Sequence, residues 1–132
     1  VLRSFITHRY DSNLFKQLTI IPSDSSKSLL KSSFGLHLSA LTHAKKSGEK
    51  GTIGHQNLRQ RVNKFNYYFK RGIFGENCHY GSSEHPLVHF ISLMNSKRHF
   101  SNIMDTDFNS VGVSFKPHTK FGMNSVTCFG SK

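Results

Sequence analysis

The apolar residues of this chain change their spacing part-way along it, and that change limits the folds open to it. Leu36, Ala40, Leu41 and Ala44 recur at helical spacing, as do Phe34, Leu38 and Leu41. The pattern predicts a helix over 33–47, with Ser32 or Ser33 as its N-cap and Gly48 as its stop. Towards the C-terminus the period becomes two. Val111, Val113 and Phe115 alternate with smaller or polar residues, and Met123, Val126 and Cys128 mark a second extended run. The segment PHTKFG at 117–122 is expected to turn between them as a hairpin loop. A sequence patterned for one period does not settle into the other. Helices followed by an antiparallel pair therefore predict an α+β fold, with helices packed on a sheet.

The rest of the chain fits around these elements. Residues 1–21 read as one or two short helical pieces and 22–33 as a Ser-rich connector. Gly48, Gly51 and Gly54 make a bend that delivers His55. Residues 56–66 are polar and basic, with a turn of helix, and 67–81 read as extended chain with tight turns. Ser83 caps a second helix with Pro86 in its first turn and Leu87, Val88, Ile91 and Met94 as its buried stripe. Residues 96–104 form another short helical turn. A length of 132 residues suits a single domain over 1–132, large enough to bury a core without staples.

Charge narrows the partners without choosing one. Eighteen Lys and Arg against seven Asp and Glu give a net +11, which suits nucleic acid, an anionic membrane or polysaccharide, or an acidic protein. Residues 45–71 carry eight basic residues against Glu49, a net +7, and offer a candidate polyanion-binding surface. That stretch has no Arg-Gly repeat, heptad or zinc-finger pattern, which argues against specific nucleic-acid binding. An apolar content of 36% with 12% aromatics excludes a disordered basic tail. No window approaches the roughly 20 apolar residues of a membrane span. The chain starts at Val1 rather than Met, which fits a leader removed by processing or truncation.

The chemistry-bearing residues are few. Cys78 and Cys128 are the two cysteines; they allow one disulfide, or act as two small buried hydrophobes. Among nine histidines, His37 and His43 are six apart and make no zinc pair. His85 and His89 share a helical face, but Pro86 stands where a zincin has glutamate. There is no nucleophile-elbow serine and no phosphate loop. Three candidates sit at turns or helix ends: His55 after the glycine bend, Glu76 in Gly75-Glu76-Asn77, and His99 in Ser96-Lys97-Arg98-His99. Glu76 follows the apolar pair Ile73-Phe74 and is expected to be semi-buried, where a carboxylate needs a partner such as an imidazole. It also has a purely structural reading, as acceptor of backbone N–H groups in the Gly75–Gly81 turn. Phe65, Tyr67, Tyr68, Phe69 and Phe74 read as core or as a lipid pocket.

These elements in order (Leu38-x-Ala40-x-x-His43-Ala44, Gly54-His55, Gly75-Glu76-Asn77-Cys78-x-Tyr80-Gly81, His99-x-x-Asn102-Ile103, Val111-Gly112-Val113, Pro117-His118) resemble a CAP domain. That superfamily holds cysteine-rich secretory proteins, antigen 5 and plant pathogenesis-related proteins. The resemblance is strongest over 33–130 and to the compact bacterial SCP-like branch. It implies an α-β-α sandwich with a central antiparallel sheet, and a cleft holding His55, His99 and Glu76. The family's second acid has no counterpart in Ile91-Ser92-Leu93-Met94-Asn95, and Phe100 stands where many relatives have arginine. The resemblance also implies a divalent metal on His55 and His99, with Glu76 as a possible third ligand. Zinc suits such a set, and its binding would weaken below about pH 6 as imidazole protonates. A secreted or cell-envelope location follows from the resemblance. Three functions stay open: a cleft that binds a metal or small ligand, a metal-dependent hydrolase with Glu76 as base, and a polyanion binder using 45–71 against an anionic surface, polysaccharide or lipid.

Overall fold

The computed structural model describes residues 29–65 and 73–131. The helical pieces expected in 1–21, most of the Ser-rich connector, and Tyr67, Tyr68, Phe69, Lys70 and Arg71 lie outside those residues. In chain order the elements are β1 (Lys31–Ser32), α1 (Phe34–Lys50), α2 (Leu58–Phe65), β2 (Phe74–Gly81), α3 (Pro86–Met94), α4 (Lys97–Met104), β3 (Ser110–His118) and β4 (Gly122–Gly130).

Ser33 caps α1 as its sequence suggests. It is extended, and its hydroxyl accepts from the Leu36 N–H at 3.3 Å, which stabilises the helix by about 1 kcal/mol. Gly48 does not stop the helix. α1 continues to Lys50, and Gly51, at φ 69°, is the C-cap. Gly48 is inside the helix because a Cβ there would lie 2.0 Å from the Pro117 carbonyl oxygen of β3. Its lack of a side chain serves close packing rather than termination. Gly112 does the same from the sheet side: a Cβ on it would come within 2.0 Å of the His37 nitrogen and 2.1 Å of the Leu36 carbonyl carbon.

The strand order is β1-β3-β4-β2. β2, β4 and β3 are antiparallel, with Glu76 opposite Cys128 and Cys128 opposite Gly112. The sheet is not wholly antiparallel, because β1 runs parallel to β3 through Lys31↔Ser110 and Ser32↔Val111. The β3–β4 turn is also tighter than expected. β3 runs to His118 and β4 starts at Gly122, leaving 119–121 as the loop. The His118 ring causes this: Nδ1 accepts the Lys120 and Phe121 N–H groups at 3.1 and 3.2 Å, while Nε2–H donates to the Thr52 carbonyl at 2.8 Å.

Strand alternation places a separate core on each face of the sheet. On one face Cys78, Val126 and Cys128 meet Leu36, Ala40 and Ala44 of α1. On the other, Val111, Val113 and Phe129 meet Phe90 and Leu93 of α3 and Ile103 of α4. This is the expected α-β-α layering. No helix of the described residues is long and apolar enough to cross a membrane.

Candidate functional site

β2 is an edge strand, and its alternation separates the Gly75-Glu76-Asn77 element into two tasks. Asn77 faces α4. Its Nδ2 donates to the His99 carbonyl at 2.9 Å, and its Oδ1 accepts from Asn102 Nδ2 at 2.8 Å. These bonds fix the start of α4, and with it His99, against the strand. Glu76 faces α1 with its side chain fully buried.

A buried carboxylate must be neutralised or paired, and Glu76 is paired twice. Arg61 of α2 donates from Nη1 to Oε2 at 2.7 Å and from Nη2 to Oε1 at 3.2 Å. His55 Nδ1 lies 2.8 Å from Oε1. Burial by itself would raise the Glu76 carboxyl, but the bonds from His55 and Arg61, with the guanidinium charge, hold it down to about 2. The carboxylate is therefore ionised at neutral pH and only accepts, so His55 carries its proton on Nδ1. Nε2 is the ring nitrogen left outside that contact, on a side chain that is 43% exposed. Two backbone contacts hold the loop carrying His55. Gly54 N–H donates to the Tyr80 hydroxyl at 3.0 Å, and the Gly54 carbonyl accepts from His43 Nε2 at 2.7 Å.

The thiols complete the surroundings of the carboxylate. Cys78 Sγ lies 3.6 Å from Oε1 and Cys128 Sγ 3.3 Å from Oε2. Both are free and buried, so the second of the two cysteine readings, small buried groups, describes them. Cys78 is opposite Val126, and Cys128 is opposite Glu76. The two are thus diagonal neighbours on adjacent strands, each turned to the carboxylate rather than to the other. Burial first, and Glu76 second, raise both thiols.

Three potential ligand atoms, from His43, Glu76 and Cys78, lie within 4.8 Å of one another and form a possible metal-binding triad. Their present bonding occupies them. His43 Nε2 faces a carbonyl at 2.7 Å and must carry the proton, Cys78 is a thiol, and Arg61 holds both Glu76 oxygens. The free lone pair of the group is at His55 Nε2. His99 is outside the triad. Its Nδ1 is 2.8 Å from Ser96 Oγ, and its pKa is lowered by burial, then by Arg98 and by His55.

Sequence reasoning named His55 and Glu76 and missed Arg61 and His43 as parts of one group. Arg61 belongs to the basic 45–71 stretch, yet it is only 7% exposed and pairs with Glu76. The second histidine pair also differs from its helical reading. His89 contacts His79 rather than His85, with Nδ1 atoms 2.7 Å apart and His89 Nε2–H donated to the Ser83 carbonyl at 2.8 Å.

Residues 20–129 match the family model described as the cysteine-rich secretory protein family, CAP. Comparison with curated proteins finds no match. Among solved structures, an outer surface protein of Borrelia burgdorferi superposes with a TM-score of 0.74 at 22% identity, covering 92% of this chain and 91% of that one. An extracellular SCP-domain protein of Bacillus anthracis gives 0.67 at 21% identity, over 92% of this chain and 40% of that one. A cysteine-rich secretory protein of Staphylococcus aureus gives 0.64 at 17% identity, over 91% of this chain and 37% of that one. This chain thus spans less than half of the latter two proteins and nearly all of the first. At these identities the likeness is one of fold.

Proposed function

This chain belongs to the cysteine-rich secretory protein (CAP) family, and from that premise we propose that it is a secreted or envelope-exposed binding domain whose cleft takes a divalent metal ion, zinc by preference, through His55 Nε2 and His99. Glu76 is a positioning residue for His55, not a ligand. The observation that carries this reading is the His55 Nδ1–Glu76 Oε1 contact at 2.8 Å. A carboxylate on one ring nitrogen fixes the tautomer and aims the other nitrogen outward, the usual support of a metal-bound imidazole. A bound ion would act as a Lewis acid or as a bridge to a partner. Extracellular and outer-surface relatives of the same fold support the location.

The hydrolase alternative asks Glu76 to take a proton from water. A fully buried carboxylate with both oxygens bonded and its pKa held at about 2 is a poor base for that step. Binding without turnover is the reading the geometry favours.

Calorimetric titration with zinc tests it. The wild type is expected to bind one ion, and the His55→Ala, His99→Ala double variant none. Glu76→Gln should weaken binding by about 10–100-fold, and Cys78→Ser should leave it unchanged. A wild type that binds no divalent ion, or a double variant that binds as tightly, overturns the reading.

A further inference from the structure

α1, residues 52–57 and Arg61 of α2 border a cavity of about 260 Å³. Lys46, Lys50 and Arg61 line it, with Ser47, Thr52 and Asn57 among its polar walls, and no acidic residue does. A neighbouring cavity of about 510 Å³ has Lys45 and Lys116 but also Glu49. Charge thus distinguishes the two: the charged residues lining the smaller one are all basic.

The smaller cavity has a built floor. Arg61 is 7% exposed and Ser47 2% exposed. Of the five guanidinium N–H groups, Nε donates to Gln56 O, Nη1 to Ser39 O and Glu76 Oε2, and Nη2 to Glu76 Oε1. One Nη2 hydrogen has no partner among these bonds. Asn57, just before α2, also lines the cavity.

We propose that this cavity is a binding site for a tetrahedral oxyanion carried on a small sugar, a phosphate or sulfate monoester, held between Lys46 and Lys50 with Arg61 at its base. The volume admits one such group with a single ring and no polymer chain. A carboxylate ligand would use two oxygens and leave a lysine unmatched, whereas a tetrahedral group offers an oxygen to each cation. This inference does not depend on metal binding at His55, which does not line the cavity.

NMR titration of the whole chain with inorganic sulfate, glucose 6-phosphate and glucose 6-sulfate tests the site and separates a free ion from a sugar ester. Amide shifts at Thr52, Gln56 and Asn57 are expected with all three, and tighter binding of the two esters than of sulfate. The Lys46→Ala, Lys50→Ala variant should bind about tenfold more weakly while keeping the zinc affinity of the wild type. The Lys45→Ala, Lys116→Ala variant, with the same loss of charge, should keep full ester affinity. Equal weakening in both double variants, no shifts at those amides, or sulfate binding as tightly as either ester overturns the proposal.

Discussion

Arg61 and Glu76 meet as a bidentate pair, Nη1 to Oε2 at 2.7 Å and Nη2 to Oε1 at 3.2 Å, with the arginine 7% exposed and the carboxylate not at all. The pair ties α2 to the edge strand β2, beside the buried Val62 of the same short helix. Removing one partner leaves a buried charge without compensation. Arg61→Met should therefore destabilise the fold by about 3–5 kcal/mol, read from urea unfolding. Adding Glu76→Leu to it should recover most of that loss, because the cost lies in the orphaned charge. A double variant as unstable as the single one would contradict this account.

Acid should unfold the protein in two stages. His43, His79 and His89 are held below their ordinary value of 6.5, chiefly by burial. The unfolded chain therefore takes up protons that the fold refuses, and stability begins to fall as pH drops below about 6.5. Glu76 adds a second loss. Its carboxyl is held at about 2 against an ordinary 4.5, so its contribution is complete above 4.5 and disappears as pH falls toward 2, about 3 kcal/mol in all. Urea midpoints measured from pH 8 to pH 2 without added divalent metal should stay level down to about 6.5 and fall below it, with a further fall below about 4.5. A midpoint level from pH 7 to pH 5 would refute the histidine part, and one level from pH 4.5 to pH 2 the Glu76 part.

Gly112→Ala should be among the most damaging single substitutions. The added methyl would meet the backbone of α1 at 2.0 Å, and backbone does not move aside as a flexible side chain does. Seating α1 on the sheet would fail, with a loss of about 3 kcal/mol or more. Far-ultraviolet circular dichroism and the thermal midpoint check this, and an unchanged midpoint would show that α1 shifts freely.

The thiols should be silent in the folded protein. Both are buried and raised by burial and by the Glu76 charge, so little thiolate is present. Reaction with a disulfide reagent at pH 8 should proceed at the rate of unfolding and accelerate with urea. Immediate reaction of either cysteine in buffer would contradict the placement.

Much of this architecture is legible in the sequence because its signals are local. The α1 period from Leu36 to Ala44 and the Ser33 cap lie within one segment, as does the alternation of Val111, Val113 and Phe115. Gly48 misleads for a non-local reason. Its neighbour is Pro117, on β3, and nothing near Gly48 announces a strand. Glu76 is legible as a carboxylate in need of a partner, and His55 as one partner. Arg61 is not legible, because it stands among seven other basic residues in 45–71 and only the tertiary fold selects it. His43 is hidden too, since on a helix its pattern is that of any half-buried polar residue, and its acceptor, the Gly54 carbonyl, is in a loop.

That same Gly54 peptide is bonded at both ends, its N–H to Tyr80 and its carbonyl to His43. The next residue, His55, is therefore already positioned before anything binds. Ordering a free loop costs about 1–2 kcal/mol per residue, and at His55 that cost is met during folding. Capture by this imidazole should be quick and should leave the backbone around it unmoved.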